Sequence, residues 1–162
     1  MFYHLFDALD KNLPFARAEA HCDVPCGIYD PSTAQISALT VVRMMDLMAT
    51  EAEAHEHGAE HINSMARYIA VKEEHAEQAK QEVRIIWGDY FKKDKHPNVD
   101  ELVHKIMQLG SASRQTADRE NGVAFVEAIN EFSAIFWETK GVATKKAKAP
   151  YAPALEMVYP DL

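Results

Sequence analysis

The sequence predicts an all-α protein, an antiparallel four-helix bundle, and three observations carry that prediction. Four segments between residues 31 and 140 repeat apolar side chains at helical spacing, no segment competes with them at strand spacing, and helix-starting or helix-stopping residues sit at their margins. A chain of 162 residues with 48% apolar and 26% charged residues suits one globular domain of ordinary size. Around the bundle of residues 31–140 the chain divides into a segment 1–20, a short cysteine-bearing segment 21–31 and a tail 141–162.

The first bundle helix starts where Asp30 can cap and Pro31 can occupy the first turn, and it runs into the forties with Ile36, Leu39, Val42, Met45 and Met48 on one stripe. A second helix is expected over 63–87, burying Met65, Ile69, Ala76, Ala79, Val83 and Ile86. Residues 89–98 read as a connector, because Pro97 disfavours helix at His96; Asn98 then offers a cap for a third helix carrying Val99, Leu102, Ile106 and Leu109. Gly110 and the Ser- and Thr-rich stretch behind it suggest a stop. The fourth helix, 119–140, presents Val123, Val126, Ile129, Phe132, Phe136 and Trp137. Pro150, Pro153 and Pro160 keep the tail from being a single helix, while Tyr151, Leu155, Met157, Val158 and Tyr159 make it too apolar for a linker, so it is expected to lie against the bundle or a neighbouring subunit.

Charge excludes some partners. Seventeen Lys and Arg against 25 Asp and Glu leave a net charge of −8, without the basic footprint that nucleic acid or an anionic membrane requires. No apolar run approaches the ~20 residues of a membrane span. The first twenty residues end in Ala18-Glu19-Ala20, a small-residue cleavage pattern, but Asp7, Asp10, Lys11 and Asn12 break the apolar core that a secretory signal needs. The expectation is a short removable leader over 1–20 and a cytoplasmic protein; Phe2, Leu5, Phe6 and Leu9 also describe one face of an ordinary amphipathic helix.

The chemistry concentrates at residues 21–31, HCDVPCGIYDP. Cys22 and Cys26 read either as two loop thiols, as one local disulfide, or as metal ligands. A structural zinc site usually takes four protein ligands, and the chain has no second cysteine pair. Two thiolates joined by adjacent backbone nitrogens instead suit a square-planar set, the geometry favoured by Ni(II) or Cu(II). If the chain is cut after Ala20, the His21 α-amine, the Cys22 amide and both thiolates can chelate one metal in a plane, with the His21 imidazole above it. Two rival patterns are weaker. His57-Gly58-Ala59-Glu60-His61 matches a short zinc-peptidase motif but also reads as a solvated polar stretch, and Glu101 with His104 is a single copy of a pattern that di-iron bundles need twice.

HCDVPCGIYD resembles the nickel hook of nickel-containing superoxide dismutases, which in that family follows a removable leader. The segments Trp87-Gly88-Asp89-Tyr90-Phe91-Lys92 and Ile135-Phe136-Trp137-Glu138-Thr139-Lys140 resemble the family's W-x-D-Y-F-K and I-F-W-E-T-K landmarks. The resemblance implies a nickel cofactor held by His21, Cys22 and Cys26, with Pro25 shaping the hook, and Asp23 and Tyr29 organising it and lining the approach of superoxide. It also implies a homohexamer and a peptidase that removes the leader. Where some members carry a Glu and an Arg behind the hook histidine, a gap-free count gives Ser37 and His75; His75 either replaces that hydrogen-bonding pair or is a helix-surface histidine among Glu73, Glu74 and Glu77. Lys92, Lys93 and Lys95, the densest basic group outside the tail, are expected either at the mouth of the site or on an exposed loop.

Overall fold

The structure is a computed structural model that describes residues 27–53 and 58–162. Four helices, α1 (Ser32–Ala52), α2 (Ala59–Ile85), α3 (Val99–Gln115) and α4 (Arg119–Thr139), form the bundle, and a two-stranded hairpin, β1 (Thr144–Lys148) and β2 (Glu156–Pro160), follows it. Each helix packs on two others in a closed ring: α1 on α2 and α4, and α3 on α2 and α4. Neighbours run antiparallel, since Gln35 near the start of α1 meets Asn130 in the second half of α4 while Val42 and Met45 lie against Gly122 near the start of α4. None of the helices described is long and apolar enough to cross a membrane.

The expected stripes supply much of the core, and Phe125 joins it from outside them. Leu39, Val42, Met45 and Met48 of α1, Ala76, Ala79 and Val83 of α2, and Leu102 and Ile106 of α3 are buried, and Phe125, Phe132 and Phe136 of α4 are fully buried at its centre. Complete burial of a side chain of this size removes enough apolar surface to stabilise the fold by roughly 1.5–3 kcal/mol each. The Asp30 carboxylate accepts from the Ser32 amide at 2.8 Å, and Asp118 caps α4 by accepting from the Glu120 amide at 3.1 Å.

Other expectations are corrected. Ile36 and Ile69 point to solvent, 53% and 42% exposed, and Met65 is only half-buried. Helix α2 begins at Ala59 rather than 63 and continues into a π-helical turn, Ile86–Tyr90, so the connector starts at Phe91. Asn98 precedes α3 without a side-chain cap hydrogen bond. Gly110 does not stop α3; it lies inside the helix where the Lys80 side chain and the Phe125 ring press against the backbone, and the helix needs a small residue there. The carbonyls at the true C-terminus of α3 are met by buried Lys72, whose ammonium donates to Ser113 O and Arg114 O at 2.6 Å and to Thr116 O at 3.0 Å. Burial pushes the Lys72 ammonium below its ordinary pKa.

The tail does lie against the bundle, as a hairpin. At the end of α4 the Gly141 amide donates to Glu138 O at 2.9 Å and the Val142 amide to Trp137 O at 3.0 Å, a Schellman closure that turns the chain back. β1 and β2 then pair from Thr144↔Pro160 to Lys148↔Glu156, with Met157 and Val158 buried against the helices.

Candidate metal centre

The predicted ligands His21, Cys22 and Cys26, together with Asp23 and Pro25, lie outside the described residues. What the structure places is the ground on which they stand. Gly27, next to Cys26 in sequence, has φ +69°, the left-handed region that costs other residues steric strain and that glycine permits. Two residues on, Tyr29 is half-buried and packs against the core, and Pro31, which leads into α1, is fully buried. The chain from Tyr29 to Pro31 is therefore anchored to the bundle.

Tyr29 packs on Tyr90 of the first landmark segment, and Tyr90 packs on the second. The Tyr29 and Tyr90 rings are tilted at 51° with centroids 5.7 Å apart. Tyr90 also packs on Phe91 and Phe136, with centroids at 5.3 and 5.1 Å. The π-turn explains how Tyr90 arrives there. An i→i−5 bond from the Phe91 amide to Ile86 O at 3.4 Å adds a residue to the last turn of the second helix and rotates Tyr90 toward α4.

On the α4 side, the Tyr90 hydroxyl and Thr139 Oγ1 are 2.6 Å apart, and Thr139 Oγ1 also donates to Phe136 O at 2.6 Å. Because the single hydroxyl proton of Thr139 goes to that carbonyl, the Tyr90 hydroxyl is the donor between them. Lys140 Nζ lies 4.4 Å from the Tyr90 ring centroid, a cation over an aromatic face. Tyr90, Thr139 and Lys140 are functional-site candidates to which sequence reasoning assigned no individual role, although all three stand inside the quoted landmarks. Tyr90 thus contacts Tyr29, Phe136 and Lys140, and links the residue three positions after Cys26 to the end of α4.

Lys92, Lys93 and Lys95 are exposed on the loop after Phe91. His75 is half-buried with Nδ1 2.9 Å from Val71 O, a bond within its own helix, and Ser37 is buried in α1. His61 Nδ1 lies 3.2 Å from the Glu51 carboxylate, Glu101 and His104 are exposed, and no group of three or more His, Cys, Asp or Glu among the described residues is arranged to hold a metal ion. The strongest charge cluster joins α2 to α3: Arg84 and Arg114 contact Glu77 at 2.6 and 3.0 Å, and the hydrogen bond from Arg84 holds the Glu77 carboxyl below the usual carboxylate range. That cluster ties two helices together and includes none of the residues of the Tyr29 seat.

Residues 16–140 match the family model described as nickel-containing superoxide dismutase. Curated relatives from Streptomyces coelicolor and Streptomyces seoulensis, both named as nickel superoxide dismutases, are 35% and 34% identical over 130 residues, covering 78% of this chain and 93% of each relative. The solved structure of native nickel superoxide dismutase superposes with a TM-score of 0.65 at 35% identity, over 75% of this chain and 99% of that one. The matched range includes residues 21–31, Tyr29, Tyr90 and Lys140, and it ends before the hairpin.

Proposed function

The chain belongs to the family of nickel-containing superoxide dismutases, and from that membership we propose that His21, Cys22 and Cys26 hold the nickel at which it dismutes superoxide. Nickel is its cofactor and superoxide its substrate. One superoxide gives up an electron and leaves as dioxygen, and a second takes up that electron with two protons and leaves as hydrogen peroxide. Bound nickel supplies the Ni(II)/Ni(III) couple, which anionic thiolate and amide donors bring within reach of both half-reactions.

The donor set fits that metal. Two thiolates four positions apart, with the α-amine and amide that precede and join them, give the soft, planar N,S environment that nickel takes and that zinc does not require. Cleavage after Ala20 frees the His21 amine, so residues 1–20 act as a propeptide and a peptidase is a partner. Asp23 braces the hook. The Tyr29 hydroxyl holds superoxide or water at the approach and passes protons through water, while the Lys140 cation beside Tyr90 favours the entering anion. The observation that carries this reading is the seating of Tyr29 against Tyr90, which itself packs on α4, because it fixes the chain that follows Cys26.

A homohexamer in the cytoplasm completes the proposal. Exposed Ile36 on α1 and Ile62 and Ile69 on α2 give such an assembly apolar surface to cover.

Substitution of the ligands tests the site. In the nickel-loaded chain beginning at His21, Cys22→Ser or Cys26→Ser should abolish dismutation and remove thiolate-to-metal absorption, because a serine hydroxyl is far harder to deprotonate. His21→Gln keeps the amine and loses the imidazole, so nickel should stay bound while turnover falls heavily. Full activity in both cysteine variants would refute the ligand assignment.

A further inference from the structure

The hairpin of residues 144–160 lies beyond the part of the chain that matches the family, yet it reaches the first turn of the helix that carries the hook. We propose that this hairpin is a clasp that holds the base of the nickel hook in position, acting through Gln35 and Asn130. The inference rests on the ligand assignment above for its consequence, and on geometry alone for the clasp.

The geometry is a closed set of hydrogen bonds in the core. Gln35, in the first turn of α1, donates from Nε2 to Asn130 Oδ1 and to Val158 O, both at 2.9 Å. Asn130 Oδ1 accepts a second bond from the Val158 amide at 3.1 Å, and Asn130 Nδ2 donates to Glu156 O at 2.8 Å. Gln35 is 6% and Asn130 9% exposed, so these amides depend on one another and on β2 for partners. β2 therefore offers backbone groups of two residues to side chains from two helices.

The same turn holds the hook. The Gln35 amide donates to Pro31 O at 3.1 Å, and Pro31, fully buried, is two residues after Tyr29. A side chain tied to β2 thus lies one helical turn from the point at which the hook joins the bundle. Ligands must be held to within roughly 0.5 Å of the productive geometry, and looseness at their base is paid as ordering entropy when the metal binds. Buried Met157 and Val158 add an apolar anchor on the helices. The remote part of the hairpin, where exposed Lys145 pairs with Asp161 at 2.7 Å, takes no part in the clasp.

The test uses the chain beginning at His21, with nickel affinity read by competition with a chelator and helix content by circular dichroism. Removal of residues 143–162, and separately Asn130→Leu, should leave the helices formed and weaken nickel binding by about tenfold, equivalent to ~1.4 kcal/mol. Lys145→Ala should bind nickel as the unaltered chain does. Wild-type affinity in folded Asn130→Leu would overturn the proposal. Native-state hydrogen exchange on the unaltered, metal-free chain needs no variant: the Val158 amide and those of Gln35 to Leu39 should open as one unit with one free energy, and clearly separate openings would overturn the clasp. If the unaltered chain takes up no nickel, the ligand assignment fails, and exchange still decides whether the clasp exists.

Discussion

The close approach of α1 to α4 makes Gly122→Ala a sharp test of the packing that carries the hook. A Cβ at this position would lie 2.9 Å from Met45 Sδ and 3.0 Å from Val42 Cγ2, well inside the ~3.5–4.0 Å of a comfortable contact. Two effects compete. Replacing an interior helical glycine by alanine gains about 1 kcal/mol from backbone entropy. Forcing a methyl into a filled core costs roughly 1–3 kcal/mol. Here the cost wins, because Val42 is β-branched and held to one rotamer in its helix, it is 0% exposed, and Met45 at 2% exposure has no free space to swing into. The net expectation is a loss of about 1 kcal/mol, which for a chain of this length lowers Tm by roughly 2–4 °C. Gly88→Ala is the internal reference, since nothing lies within 4 Å of its Cβ and only the propensity gain remains. Thermal unfolding followed by circular dichroism reads both. A Gly122→Ala chain as stable as the unaltered one, or more stable, would refute the reasoning.

Two further outcomes follow from the polar contacts. Tyr90→Phe removes the hydroxyl bonded to Thr139 while keeping the ring that seats Tyr29, so it should cost about 1 kcal/mol in denaturant unfolding and leave nickel bound, whereas Tyr90→Ala should also lower nickel affinity; equal affinity in both variants would contradict the seat. Glu77→Gln tests the α2–α3 network. The folded Glu77 carboxyl titrates below the 4.5 of a free one, so its contribution is present above that value and lost as pH falls through the folded value. Its side chain is 43% exposed, which limits the effect to about 1 kcal/mol or less, so the variant should be slightly less stable at neutral pH and equal to the unaltered chain in strong acid. A gap that persists in acid would contradict it.

The bundle was legible because its signal is repeated: Val126, Ile129, Phe132 and Phe136 each reinforce the same face of α4, and one misread position does not move the helix. Ile36 and Ile69 misled because periodicity marks an apolar stripe without saying which neighbour covers its edge. Gly110 read as a stop because glycine disfavours helices, but its environment, the Lys80 chain and the Phe125 ring, comes from distant sequence. The hairpin was hidden for a related reason. All five residues of β1 are exposed and carry no alternation, and in β2 the adjacent Met157 and Val158 are both buried, so the two-residue period is absent from both strands. At the site, the residue types at 21–31 announced metal chemistry, and the landmarks at 87–92 and 135–140 were visible as strings. Their meeting at Tyr90, on which Tyr29 packs, required the π-turn and the antiparallel packing, neither of which a local pattern encodes.

A freed His21 amine completes the proposed nickel site, and processing of the leader is therefore what a comparison of two chain lengths reads. Full-length chain and chain beginning at His21 are loaded with equal nickel and assayed side by side for superoxide dismutation, with intact mass confirming that the longer form is uncut. Activity is expected only in the chain beginning at His21, carrying one nickel per chain, because in the longer form the nitrogen of His21 is an amide within the Ala20–His21 peptide bond. Dismutation by verified uncut protein would contradict it.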